Sequence, residues 1–264
     1  MEAPIVSWSD TSIVATVPAE ASSGSVIVTN SDDVDSNGYE FYVTFGYCGC
    51  KWPVPNCTFF VNPNCPDTEG ELDAIRATFD TWNQVSCSNF VFNYGGTTDV
   101  TSSGYNGINE IMWVPALPTG TIAQNSRWVI VATGEIVETD IEFNDSLNWD
   151  ITGSPWYSEY DVQSIATHEL GHSLCLLDLY GNADSEKMMY GFGAPGEVKR
   201  TLHEDDIAGI CYIYPPPAPV YRFYNTKTGN HFYTISEEEK DSIIENLPDF
   251  TYEGIAWYCY KTGS

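Results

Sequence analysis

Two histidines lie one helical turn apart in the segment HELGHSLCLLD, and a glutamate follows the first of them. These residues are His168, Glu169 and His172. Side chains four residues apart project from the same face of an α-helix, so both imidazoles can reach one ion, and neutral imidazole is a good ligand for Zn²⁺. The glutamate points about 100° around the helix and is free to act as a general base toward water. The five-residue pattern also occurs by chance in amphipathic helices. The residues that follow must therefore show whether this segment binds a metal.

A catalytic zinc site needs a third protein ligand and one open position. Asp178 lies six residues beyond His172. A continuing helix would carry Asp178 away from the ion, so the chain must turn back after about residue 175. The segment resembles the metzincins, whose pattern is H-E-x-x-H-x-x-G-x-x-H, with Asp in the last place in some bacterial members. The resemblance implies that His168, His172 and Asp178 bind a catalytic zinc.

Cys175 stands where metzincins usually have a glycine. That glycine takes a backbone conformation that costs other residues roughly 1 kcal/mol or more. A disulfide at Cys175 could hold the turn, and we consider Cys211 on the last predicted helix as its hypothetical partner.

The stretch EKMMYGFG, further along the chain, resembles the methionine turn that lies beneath the zinc in metzincins. Met189 followed by Tyr190 matches the Met-Tyr of the matrixins. Met188 is the alternative, and it would place Tyr190 two positions on, as in members where a tyrosine reaches the metal. Ordinary core packing is the other interpretation of both methionines.

The segment LHEDDIAGICYIYP resembles the closing helix of the matrixins. In that family an aspartate pair, here Asp205 and Asp206, supports the methionine turn. Upstream segments also match in the right order, so the resemblance to a matrixin-like metzincin covers about residues 48–214.

The alternation of apolar residues predicts an α+β fold. The resemblance implies a twisted mixed sheet, an active-site helix, a methionine turn and a C-terminal helix. We expect a first helix from Asp67 to Val85, capped by Asp67 or Thr68. The other predicted elements are strands near 58–61, 89–94, 109–114, 127–132 and 136–143, and helices over about 161–176 and 204–212.

Four segments are predicted along the chain. Residues 1–45 read as β-strands and resemble part of an immunoglobulin-like module of the IPT/TIG type. Residues 46–214 form the predicted peptidase domain, and the proline-rich residues 215–219 form a stiff linker. Residues 220–264 are rich in aromatic side chains and resemble a repeat found at the ends of secreted bacterial hydrolases.

The charge balance is strongly acidic, with 37 acidic and 10 basic residues and a formal net charge of −27. Such a surface repels nucleic acid, and no apolar run is long enough to span a membrane. The eight cysteines predict a secreted or cell-surface protein with disulfides. The first residues do not resemble a signal peptide, so we expect the leader to be absent from this chain.

Cys48 and Cys50 lie at the start of the predicted peptidase domain. Disulfides with Cys57, Cys65 or Cys87 are the favoured interpretation of this pair. The alternative is a latency thiol, because matrixin precursors use a pro-segment cysteine as a temporary zinc ligand.

The function implied by the resemblance is that of a secreted zinc-dependent endopeptidase with Glu169 as general base, acting on a protein or peptide substrate. Substrate is expected to pair with an edge strand near 109–114 or 127–132. Structural Ca²⁺ near Asp140, Glu142, Asn144 and Asp145 is a further prediction, and a solvated acidic loop is its alternative. The alternative function is a catalytically silent metzincin that binds cell-surface or cell-wall polymer, with glycan contact through the aromatic C-terminal segment.

Overall fold

The computed structural model describes residues 1–65 and 69–259. They form two compact units, one made of residues 1–86 and 90–214 and the other of residues 87–89 and the chain from 215 onward. Every helix within the described ranges is too short or too polar to cross a bilayer.

Among its described residues, the first unit consists of short strands and three α-helices. Its helices are α1 (Glu71–Asn83), α2 (Val162–Ser173) and α3 (Glu204–Ile213), with a 3₁₀ turn at Asn182–Asp184. Its strands are β1 (Ile5–Ser9), β2 (Ser12–Ala15), β3 (Gly24–Val26), β4 (Tyr39–Phe41), β5 (Gly46–Tyr47), β6 (Asn56–Val61), β7 (Val91–Thr97), β8 (Asn109–Val114), β9 (Ala123–Ile130), β10 (Glu135–Asn144), β11 (Asn148–Asp150), β12 (Glu159–Asp161) and β13 (Leu176–Leu177).

The central sheet has the strand order β7-β6-β8-β10-β9. Four strands run parallel, and β9 pairs antiparallel to β10 as an edge strand. The predicted α+β fold with a mixed sheet is confirmed. The predicted strand at 109–114 is interior, so of the two expected edge strands only the one at β9 lies at an edge.

The main core lies between the sheet and the helices α1 and α2. Phe59 of β6, Phe79 of α1 and Phe92 of β7 are buried, with ring centroids 6.1–6.2 Å apart. The indole Nε1 of Trp82 donates a hydrogen bond to the carbonyl of Thr167 in α2. The sheet, α1 and α2 thus share one packed core.

The first helix is shorter than the sequence indicated. It begins at Glu71, and its N-cap is Gly70 with a φ of 103°. Glycine tolerates this left-handed conformation, which explains why a glycine precedes the first residue of the helix. The expected caps Asp67 and Thr68 lie outside the described residues.

The N-terminal residues form two hairpins, β1 with β2 and β3 with β4. All residues of these four strands are exposed. The resemblance of residues 1–45 to an immunoglobulin-like module remains a prediction.

The second unit contains β14 (Ala218–Asn225), β15 (His231–Thr234), α4 (Glu237–Asn246) and β16 (Phe250–Cys259). The strands form an antiparallel sheet of order β15-β14-β16 in the described chain. Tyr221, Phe223 and Ile243 form its small core. Strand β14 starts inside the segment 215–219, which the sequence indicated as a linker.

Candidate metal centre

Helix α2 carries the two histidines and is anchored at both ends. At its start, Asp161 accepts hydrogen bonds from the amide and the hydroxyl of Ser164, and it also pairs with Arg200. Near its end, Trp52 donates its indole N–H to the carbonyl of Ser173. An N-cap of this kind typically contributes about 1 kcal/mol, so the helix is firmly placed.

The imidazoles of His168 and His172 are fixed through their Nδ1 atoms. Nδ1 of His168 lies 2.8 Å from the carbonyl oxygen of Met188, and Nδ1 of His172 lies 2.9 Å from that of Leu176. A carbonyl oxygen only accepts, so each Nδ1 carries the proton and each Nε2 of the neutral ring keeps a lone pair. The two Nε2 atoms face each other at 3.1 Å.

Asp178 completes a triangle of ligand atoms. Its Oδ1 lies 3.1 Å from Nε2 of His168 and 3.4 Å from Nε2 of His172, and no hydrogen-bond donor among the described residues satisfies it. When both rings are neutral, three lone pairs converge on one point. A tetrahedral ion with bonds of about 2.0–2.1 Å separates its ligand atoms by about 3.3 Å, so the donor set fits Zn²⁺.

The electrostatics of this cluster favour positive charge. Burial lowers the pKa of His168, but the carboxylates of Asp178 and Glu169 outweigh it and raise this pKa to about 9. Burial would raise the pKa of Asp178, whereas the two imidazoles hold it well below its usual range. A cation between these groups takes the place of the proton that they otherwise attract.

The chain turns back directly after α2 at Cys175, whose φ is 76°. Cys175 is bonded to Cys48, and the proposed pairing of Cys175 with Cys211 is wrong. Cys211 is also disulfide-bonded, whereas Cys50 and Cys57 carry free thiols. Cys48 therefore does not pair with Cys57, Cys65 or Cys87. The sequence alone does not indicate the partner of Cys175, because 127 residues separate the two half-cystines.

The turn is also held by backbone pairing. The strand β13, which follows Cys175, pairs antiparallel with β5, and the amide of Cys48 donates to the carbonyl of Cys175. These contacts bend the chain so that Asp178 returns to the imidazoles.

The segment predicted as the methionine turn lies against the helix at Gly171. A side-chain carbon added to Gly171 would meet Sδ of Met189 at 2.2 Å, so the sulfur of Met189 packs against this glycine between the two histidines. The carboxylate of Asp206 accepts hydrogen bonds from the amides of Met188 and Met189. Asp205 instead forms an ion pair with Lys187 at 2.7 Å.

Glu169 lies next to the ligand cluster and lines the same cleft. The residue is buried, with a relative exposure of 5%, and its Oε2 has no hydrogen-bond partner within the described structure. Burial raises the pKa of Glu169, while the two imidazoles oppose this effect. A carboxylate with a free oxygen in this position is able to exchange a proton with water.

Comparison with known families decides the classification. The family model described as Matrixin matches residues 51–215, which is more than half of the 264 residues. The chain belongs to the matrixin family. A second model, described as a domain of unknown function (DUF5648), matches residues 203–264.

Several curated metallopeptidases are similar to this matrixin. Metalloendoproteinase 2-MMP from Arabidopsis thaliana is 26% identical over 180 residues, covering 62% of this chain and 43% of the relative. Interstitial collagenase from Sus scrofa is 29% identical over 67% of the chain and 35% of its own length. Stromelysin-1 from Mus musculus is 28% identical over 63% of the chain and 33% of its own length. The chain thus spans less than half the length of these relatives.

The cleft of the matrixin domain has a volume of about 580 Å³ and contains His168, Glu169, His172 and Asp178. One wall is the loop before β9 together with the start of that strand, and another is the segment after the methionine turn, including Tyr190. The half-buried β9 thus offers an edge next to the ligand cluster.

Three residues that line the cleft were not identified from the sequence. Asn125 donates to the carbonyl of Glu169 and to the hydroxyl of Ser173, and Arg127 donates to the carbonyl of His172. Tyr180 donates its hydroxyl to Asp178. Their positions depend on strand pairing and on the turn after α2, and no short-range pattern in the sequence indicated them.

The expected calcium ligands lie in and just after β10. Asp140 accepts hydrogen bonds from the amides of Gly104 and Glu110, and burial raises its pKa to about 6. Asn144 accepts from Ser146. Calcium binding at Asp140, Asn144 and Asp145 remains a prediction.

Proposed function

We propose that the protein is a secreted zinc endopeptidase in which His168, His172 and Asp178 hold the metal. The observation that supports this most directly is the convergence of three potential ligand atoms beside a buried glutamate oxygen that has no hydrogen-bond partner among the described residues. Two imidazoles and one carboxylate with an open position are typical of catalytic zinc sites.

Glu169 is the proposed general base. Zinc bound by the three ligands would lower the pKa of water and polarise the carbonyl of the scissile peptide bond. Glu169 then accepts a proton from the attacking water and later delivers it to the leaving amine. Asn125 and Arg127 bind the backbone carbonyls of Glu169 and His172 and keep the end of α2 in place during these steps.

Substrate is proposed to bind as an extra strand along β9. An edge strand offers unpaired amides and carbonyls, and an extended peptide can satisfy them. The cleft begins at residues Gly120–Asn125, where β9 starts, and reaches Glu169. A peptide in this position brings its backbone directly over the catalytic glutamate.

The test compares wild-type protein with Glu169→Gln, which keeps the shape of the side chain and removes the base. Both proteins are expected to hold one zinc per chain, measured by metal analysis, while kcat/KM on a casein or peptide library falls by about 10²–10⁴-fold. Glu197→Gln is a matched control, because Glu197 lines the same cleft but accepts from the amide of Ala194.

Three results would count against the proposal. Equal cleavage by wild type and Glu169→Gln would remove Glu169 from the mechanism. Failure of metal-replete wild type to hold zinc would remove the metal. Zinc binding without cleavage of any peptide would favour the alternative, a silent metzincin that acts as a binding module.

A further inference from the structure

Tyr180 binds the side chain of the third ligand. Its hydroxyl donates a hydrogen bond of 3.0 Å to Oδ2 of Asp178, while Oδ1 of the same carboxylate faces the two imidazoles. The two carboxylate oxygens are thus assigned to different partners. On the basis of the proposed zinc site, we infer that Tyr180 is a positioning residue that makes Asp178 present a single oxygen to the metal.

The ring of Tyr180 is held in place by its surroundings. Its centroid lies 5.3 Å from that of Phe192 in an edge-on contact. A side-chain carbon at Gly191 would come within 2.4 Å of the ring, so the ring occupies the space that this glycine leaves open. The amide of Tyr180 donates to the hydroxyl of Ser22 at 2.8 Å. Tyr180 is 52% exposed, but its backbone and ring are held by contacts that do not involve the hydroxyl.

The hydroxyl of Tyr180 can affect how the third ligand binds the metal, because that ligand is an aspartate. A carboxylate can bind a metal through one oxygen or through both. A donor on Oδ2 occupies that oxygen and withdraws part of the negative charge that Asp178 brings to the site. Hydrogen bonds to metal ligands orient them, and their loss typically lowers metal affinity about 10–100-fold.

Tyr190 is the other tyrosine considered from the sequence, as a residue that reaches the metal in the alternative alignment. Its ring instead contacts Phe192 and lies under the ammonium of Lys199, at 5.5 Å from the centroid. The geometry thus favours Tyr180 as the tyrosine that acts on the ligand cluster.

Tyr180→Phe removes the hydroxyl and keeps the ring against Phe192. We expect its zinc dissociation constant, measured by competition with a chromophoric chelator, to rise about 10–100-fold. In the cobalt-substituted protein we expect weaker visible d–d absorption, because a carboxylate that binds through both oxygens raises the coordination number above four. Circular dichroism checks that the variant is folded.

Tyr157→Phe is the control, because it makes the same exchange at an exposed tyrosine that does not line the cleft. It should keep a wild-type cobalt spectrum and a zinc affinity within a few fold of wild type. If Tyr180→Phe matches wild type in both zinc affinity and cobalt spectrum, the inference is overturned while the proposed function stands. If both variants change equally, the bond from Tyr180 to Asp178 is not responsible, and the inference is also overturned. If wild type binds no zinc, the proposed function fails with it.

Discussion

The disulfide between Cys48 and Cys175 allows a sharp test of how the turn after α2 is held. The bond closes a stretch of 127 residues. The chain-entropy treatment gives about 5 kcal/mol for a loop of this size, and measured losses are about 2–5 kcal/mol. Both cysteines are replaced together, so that the free thiol of Cys50 cannot form a new bond with either of them.

Two double variants separate the disulfide from the backbone strain at residue 175. Cys48→Ala is combined with Cys175→Ala in one protein and with Cys175→Gly in the other. Both lose the disulfide. The φ of 76° at this position costs alanine about 1–2 kcal/mol, whereas glycine gives the unfolded chain about 0.4–1 kcal/mol of extra conformational freedom. The glycine variant should therefore be the more stable by about 1 kcal/mol.

Urea unfolding followed by tryptophan fluorescence measures the difference. With an m value of about 2–3 kcal/mol/M, the midpoint of the glycine variant should lie about 0.3–0.5 M above that of the alanine variant. Zinc affinity should follow the same order, because the turn returns Asp178 to the imidazoles. An alanine variant that is as stable as the glycine variant would refute the argument that a left-handed residue sets this turn.

Three further outcomes are expected. Asp206→Asn leaves one oxygen for the amides of Met188 and Met189, so the free energy of unfolding should fall by about 1–3 kcal/mol, and an unchanged urea midpoint would contradict this. Burial would raise the pKa of Asp184, but hydrogen bonds from Ser23 and Lys187 lower it. Its contribution is thus present above the ordinary carboxyl pKa of about 4 and is lost as pH falls through the lowered value, so Asp184→Asn should flatten the acid limb of a stability–pH curve. Zinc at about 100 times its dissociation constant should add about 2.7 kcal/mol of stability, and a thermal midpoint unaffected by chelator would argue against a bound metal.

The sequence predicted the parts of the site that depend on short-range spacing. His168 and His172 share a helix face because of a four-residue interval, and the observed helix Val162–Ser173 lies within the expected range 161–176. The strand at 109–114 has the predicted bounds. Hydrophobic period and residue spacing are local properties, so they can be recognised without knowledge of the tertiary fold.

The features that the sequence did not predict depend on long-range contacts. The partner of Cys175 lies 127 residues away. The bond from Tyr180 to Asp178 requires the turn after α2 to be formed. The first helix is shorter than predicted because Gly70 has a left-handed φ, so the helix begins only at the next residue. None of these contacts has a periodic pattern from which it could be derived.

The contacts of residues 22–48 have a practical consequence for anyone who prepares the catalytic region alone. Ser23 binds Asp184, the carbonyls of Val43 and Thr44 accept from Lys187, and β5 pairs with β13 next to the turn at Cys175. A recombinant fragment cut at the first matched position, residue 51, would lose all of them. It would leave the carboxylate of Asp184 and the ammonium of Lys187 with fewer partners. An inactive fragment of that kind would therefore not test the proposed activity, because the cut itself removes these contacts.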